Sequence, residues 1–139
     1  MSAASSFVLF PMGEKHFALP ADRVTELARV DQPHAVPHTT PFLTGVLVRR
    51  GEVIPVWDIA PVLIGPDAPA RKFYLIARRR FGSAEESTAI PVSGDCELLN
   101  KEMTAPVGKI APYVEGLLTL ENEVVEVISL EMLGAEEAS

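Results

Sequence analysis

The sequence predicts an all-β chain built from two related lobes, and three observations lead there. The chain repeats itself. Pro41-Phe42-Leu43-Thr44-Gly45-Val46-Leu47, followed by Gly51-Glu52-Val53-Ile54-Pro55-Val56-Trp57-Asp58-Ile59, is echoed by Pro112-Tyr113-Val114-Glu115-Gly116-Leu117-Leu118, followed by Asn122-Glu123-Val124-Val125-Glu126-Val127-Ile128-Ser129-Leu130. The offset stays at 71 residues without a gap, as from Gly45 to Gly116. One supersecondary unit used twice gives such a pattern, and a period of half the chain means two lobes rather than a solenoid. Within the first copy, Val46, Val48, Ile54 and Val56 alternate at period two around Arg50-Gly51, and the second copy turns at Glu121-Asn122, so each reads as a β-hairpin. Many short strand patterns at close spacing, with few long helical ones, indicate small barrels or a sandwich.

The elements follow in order. Phe7 to Phe10 is a strand, Met12-Gly13-Glu14-Lys15 a turn and His16 to Leu19 its return. Pro20 to Leu27 reads as one helical turn running into a strand, with Leu19, Val24 and Leu27 pointing inward. Asp31 to Pro41 carries three prolines and no periodicity, so it is a loop or polyproline segment. A proline that cannot donate to a ladder marks the entry into each hairpin, and Gly51 and Asn122 supply the positive φ of its turn. After each hairpin an apolar segment, Ile59 to Ile64 or Leu130 to Leu133, ends at Gly65 or Gly134, as a short Gly-capped helix would. Gly65 to Ala70 is the clearest linker and divides a single domain, residues 1–139, into approximate halves 7–66 and 71–133. Lys72 to Ala77 is a strand, Phe81 to Ser87 a polar turn and Thr88 to Val92 the returning strand, where Pro91 argues for an edge position. Asp95 to Met103 fits either strand or helix, and Ala105 to Pro112 is a connection.

Composition sets further bounds. A hydrophobic content of 47% in 139 residues suits one folded domain and excludes a disordered chain. Lobes of roughly 70 residues are marginal alone, so the two are expected to pack together. No apolar run approaches the ~20 residues that cross a bilayer. Met1 to Ser6 lacks the charged start and the length of a secretory signal, and Cys96 stands alone, so a cytoplasmic protein without disulfides is expected. The net charge of −7 is uneven: Arg49, Arg50, Arg71, Lys72 and Arg78 to Arg80 sit mid-chain, while no Lys or Arg follows Lys109. Glu115, Glu121, Glu123, Glu126, Glu131, Glu136 and Glu137 do follow it. Either these are solvated faces with an acidic tail, or lobes of opposite sign join head to tail between molecules.

Residues for chemistry are sparse. Cys96 lies between Asp95 and Glu97, which raise rather than lower a thiol pKa. His34 and His38 have i, i+4 spacing, but Pro33 and Pro37 oppose a helix and no third ligand follows, so no metal is expected. Phosphate-binding glycine loops and a nucleophile elbow are absent. Arg78-Arg79-Arg80-Phe81 suggests phosphate contacts, yet an acidic chain with 6% aromatic residues favours a solvated hairpin end over nucleic acid. Trp57, the single Trp, reads as core. No cofactor and no enzymatic activity are expected.

Pro41 to Ile59 resembles the central signature of CheW-like domains, approximately P-x-x-x-G-V-x-N-L-R-G-x-V-[IV]-P-V-x-D-L-R. Phe17-Ala18-Leu19, Val24 and Glu26-Leu27 resemble the family's first-lobe segment, and Tyr113 to Leu133 its closing hairpin and short helix, so the likeness covers roughly Phe7 to Leu133. The chain departs from the pattern at Val48 (Asn in the family), Arg49 (Leu) and Ala60 (Arg), and Val92-Ser93-Gly94-Asp95 stands where V-D-x-V is usual. The resemblance implies two SH3-like five-stranded β-barrel lobes packed together with short helical turns. It implies a non-enzymatic cytoplasmic adaptor, peripheral to membrane receptor arrays and not inserted in the membrane. Such an adaptor joins chemoreceptor (methyl-accepting protein) cytoplasmic tips to the regulatory domain of a CheA-type histidine kinase. Carried over by position, Val24, Glu26, Gly45, Val46 and Arg50 are the candidate binding residues, with Arg50 paired to a receptor carboxylate. The alternative is a divergent scaffold that self-assembles or serves another output such as surface motility.

Overall fold

The computed structural model describes residues 4–29, 33–37, 40–71 and 73–138. Asp31, His38 and Lys72, which the sequence assigns to a loop, a His pair and a strand start, lie outside the described residues, as do the side chains of Glu136 and Glu137. The strands are β1 (Ser5–Met12), β2 (Lys15–Pro20), β3 (Val24–Arg29), β4 (Leu43–Arg49), β5 (Glu52–Trp57), β6 (Phe73–Phe81), β7 (Ala84–Val92), β8 (Glu97–Lys101), β9 (Val114–Thr119) and β10 (Val124–Ile128). A 3-10 turn, Ala21–Arg23, precedes β3, and helices α1 (Ala60–Ile64) and α2 (Leu130–Ala138) follow the two repeated hairpins.

Two five-stranded sheets result, one ordered β8-β1-β2-β10-β9 and the other β3-β6-β7-β5-β4. The second, central sheet uses a contiguous stretch of chain, whereas the first, terminal sheet joins the chain's beginning to its end. The sheets therefore do not follow the expected halves 7–66 and 71–133, because β1 and β2 leave the first half to pair with β8 and β10. With that permutation the two sheets have the same plan. Each hairpin of the repeat, β4–β5 or β9–β10, is attached by a parallel junction to a second hairpin. Val56 lies beside Ala89 in one junction and Val127 beside Ala18 in the other.

The repeat is legible atom by atom. Asp58 N–H donates to the Phe42 carbonyl at 2.8 Å, and 71 residues on Ser129 N–H donates to the Tyr113 carbonyl at 2.7 Å. The Asp58 Oδ1 accepts from Ala60 N–H and the Ser129 Oγ from Met132 N–H, so equivalent side chains each take up a first-turn amide of the helix that follows. Asp58 also takes a forked pair of bonds from Arg71, at 2.8 and 2.6 Å, tying the end of β5 to the linker. Each barrel is closed by a bridge onto the first strand of its hairpin, His34 with Val46 and Thr104 with Leu117. The crossing backbone explains the repeated glycine. A Cβ on Gly45 would stand 2.8 Å from the His34 carbonyl oxygen, and one on Gly116 2.9 Å from that of Thr104.

Period two sorts the apolar residues into three cores. Leu47, Ile54, Val56, Tyr74, Ile76 and Ala89 fill the central barrel, and Phe7, Leu9, Ala18, Leu118, Val125 and Val127 the terminal one. The opposite faces of the same strands supply Phe10, Phe17, Leu19, Trp57, Leu75, Ile90 and Ile128 to a shared middle core, and α2 adds Leu133. Strands buried on both faces read as near-continuous apolar runs, as Phe17-Ala18-Leu19 does.

Several local expectations change. Leu27 is 38% exposed, because the strand's period of two sets Glu26 and Ala28 on the inward side and turns Leu27 outward, while a bulge between Val24 and Glu26 leaves Val24 against the middle core. Pro91 sits in an inner strand, tolerated because β7 pairs with β5 only at Ala89 and Pro91 lies beyond that contact. Asn122 does not turn left-handed: among described non-glycine residues only Arg50 has positive φ. Gly134 lies inside α2 rather than ending it. Asp95 to Met103 yields the edge strand β8.

The Arg78–Arg80 run is only partly a solvated hairpin end. Arg79 is buried, its guanidinium 4.2 Å over the Trp57 ring and its Nη2 donating to Glu86 at 3.1 Å. Gly134 gives it room, since a Cβ there would be 3.0 Å from Nη1.

Gly45→Ala, which forces a methyl against the His34 carbonyl, is expected to cost about 1–3 kcal/mol. Urea unfolding monitored by circular dichroism measures this, and an unchanged midpoint would show that the crossing backbone yields.

Candidate functional site

The mouth of the central barrel lies where β3 and β4 come together. Arg49 shares the inward side of β4 with Leu47, and Glu26 the inward side of β3 with Ala28. Arg49 Nη2 donates to Glu26 Oε2 at 3.0 Å, both side chains half-buried. Edge strands that carry inward-pointing charges resist adding a further strand. The Arg49 Nε–H is buried and has no acceptor among the described residues. Ile54 and Ile76 floor this hollow, and Glu26, Arg49, Arg50 and Glu52 form its rim.

Arg50 and Gly51 occupy the two central positions of the β4–β5 turn at φ 52° and 78°, the paired positive φ values of a type I′ hairpin. For Gly51 this is free. For Arg50 the left-handed backbone costs roughly 1–2 kcal/mol. Its side chain is exposed and makes no salt bridge among the described residues.

Of the five residues carried over from the family pattern, Glu26 and Arg50 share this hollow. Val24 is half-buried and packs on the edge of the middle core. Gly45 is buried beneath the chain at His34, and Val46 exchanges both backbone hydrogen bonds with His34, at 2.8 and 2.9 Å. Arg49 is the residue that the motif comparison passed over as a mere departure. Its parity with Leu47 was the available signal, since two residues further along a strand the side chain returns to the same face.

A second charged cluster spans the boundary between the sheets. Arg23 Nη1 stands 3.5 Å from Glu85 Oε2 and 3.8 Å from Glu131 Oε2, and Glu131 also accepts the Arg80 backbone N–H at 3.1 Å. Glu115 and Asp22 line the same hollow. Partial burial, then the Glu131 carboxylate and to a lesser degree Asp22, raise the Glu115 pKa against the opposing pull of Arg23. Elsewhere, burial and the Asp95 carboxylate push the Cys96 thiol up to about 11. Among the described residues no three His, Cys, Asp or Glu are placed to hold a metal. None of their helices is long and apolar enough to cross a membrane.

Residues 6–82 match the family model for the CheW-like domain. The chain belongs to the CheW-like family. A probable chemotaxis protein CheW from Rhizobium etli is 26% identical over 139 residues, covering 95% of this chain and 88% of that protein. Protein FrzA from Myxococcus xanthus is 36% identical over 53 residues, 38% of this chain and 33% of its own length. The fold is that of the scaffolding protein TtCheW from Thermoanaerobacter tengcongensis, with a TM-score of 0.78 at 21% identity, over 96% of this chain and 89% of that one. The two SH3-like lobes expected from the CheW resemblance are thus the observed architecture.

Two titrations probe this chemistry. At pH 8 the Cys96 thiolate fraction should be about a hundredfold below that of a thiol at the ordinary 9.0, so iodoacetamide should alkylate it correspondingly slowly in the folded protein. Alkylation at the rate of a free thiol would contradict the burial. A carboxyl whose folded pKa is raised costs stability when both states are ionised and none when both are protonated. Glu115→Gln should therefore raise the melting temperature at pH 7, with the gain fading as the pH falls through the folded pKa towards about 4, the unfolded range. A lower melting temperature at pH 7 would mean that the attraction of Arg23 dominates.

Proposed function

We propose that this CheW-like protein is a non-enzymatic scaffold of chemotaxis-type signalling. It couples the cytoplasmic tips of chemoreceptors to the regulatory domain of a CheA-type histidine kinase, in the cytoplasm beneath the receptor arrays. The observation that carries the reading is Arg50. An exposed cation held in left-handed backbone next to glycine costs stability and makes no ion pair among the described residues, which points to a value outside the fold.

In this reading the Arg50 guanidinium forms forked hydrogen bonds to a carboxylate of the receptor tip. Glu26 is held by Arg49 and shapes the rim beneath it. Val24 and Val46, both half-buried, supply apolar contact on either side, and Gly45 keeps the chain at His34 close to β4. The kinase domain engages the barrels elsewhere, so receptor and kinase bind together.

The test uses purified protein with a receptor-tip fragment and a CheA regulatory domain from the same organism. Both should bind, and Arg50→Glu should weaken the receptor at least about tenfold while leaving the kinase unaffected. Arg50→Gly should also weaken the receptor, yet raise the melting temperature, because it relieves the left-handed strain. Failure to bind either partner, or Arg50 variants that unfold the protein, would overturn the reading.

A further inference from the structure

β8 ends the terminal sheet. Its inner side pairs with β1, from Ser5 opposite Lys101 to Leu9 opposite Glu97. On its other side residues 97–101 make no backbone hydrogen bond among the described residues, since the barrel closes further along, where Thr104 exchanges bonds with Leu117. Such an edge is a template for another strand. Leu98 is 68% exposed on the outer face, Leu99 packs towards the barrel interior, and Glu97 and Lys101 stand exposed at the two ends. Asn100, held at its Oδ1 by the Ser6 hydroxyl at 2.6 Å, keeps its amide N–H groups for a further partner.

We infer that this edge is a docking surface for β8 of a second copy of the chain. The segment Glu97-Leu98-Leu99-Asn100-Lys101 is complementary to itself when two copies run antiparallel about Leu99. Glu97 of each copy then lies opposite Lys101 of the other, an opposite-charge pair formed twice. Leu99 faces Leu99, and the two exposed Leu98 side chains meet across the diagonal, within reach of long side chains. Parallel pairing would set Glu97 against Glu97 and Lys101 against Lys101, so the charges select the antiparallel arrangement. A two-fold axis through Leu99 makes the contact isologous, and association stops at the dimer. The surface is distant in sequence from the β3–β4 mouth, and the inference is independent of the receptor and kinase reading.

Strands of five residues bury little area, so the dimer belongs to the weak, transient class. The experiment is sedimentation velocity of the full chain at low salt over roughly 10 µM to 1 mM, the range expected of such contacts. Wild type should shift from monomer towards dimer. Glu97→Lys and Lys101→Glu should each remain monomeric, with melting temperatures close to wild type because both side chains are exposed. The double variant E97K/K101E should dimerise again, and an equimolar mixture of the two single variants should form a heterodimer. A wild type that stays monomeric, single variants that dimerise like wild type, or a double variant that fails to recover would each overturn the proposal.

Discussion

The structure depends on a few strands that are buried on both faces. β2, β6, β7 and β10 each send alternate residues into their own barrel and the rest into the core between the barrels. Phe17 and Leu19 face the middle while Ala18, between them, faces the terminal barrel, and Leu75 and Ile76 divide the same way. Each barrel alone would have only a marginal core. The wall they share solves that, and it also fixes register, since a slip by one residue would exchange the two cores. The small residue at each parallel junction, Ala18 or Ala89, lets the facing valine approach.

Much of this could be read from the chain because local chemistry repeats where geometry repeats. Gly45 and Gly116 recur because a strand crosses over both. Asp58 and Ser129 recur as polar side chains because each takes up a first-turn amide of a helix. What the sequence could not reveal is non-local. Nothing in residues 5–20 says that their sheet partners lie beyond residue 97, so the division into halves 7–66 and 71–133 looked natural. Pairing by parallel junction leaves no turn residue and no period to detect. The same limit applied to Arg79: three consecutive arginines look alike until Trp57 and Gly134 make a slot for the middle one.

At the barrel mouth two consecutive arginines take opposite roles. By the family pattern Arg49 is a departure from leucine, and Arg50 is one of five candidate binding residues. In the fold the two arginines divide the work by strand parity and turn geometry. Arg49 turns inward and neutralises Glu26, and Arg50 is carried by the turn into solvent. A bidentate-capable guanidinium on a two-residue turn is well anchored, because the turn leaves its backbone little freedom.

The permuted plan of the terminal barrel also bears on how the chain is made. Residues 24–92 contain every strand of the central sheet, so that barrel can close while synthesis is still under way. The first hairpin, β1–β2, emerges earliest but its neighbours β8 and β10 emerge last. It must wait on the ribosome with Phe7, Leu9 and Ala18 uncovered, and its capture at the end is a long-range, slow event. The finished domain is in effect tied shut where its first hairpin meets its last.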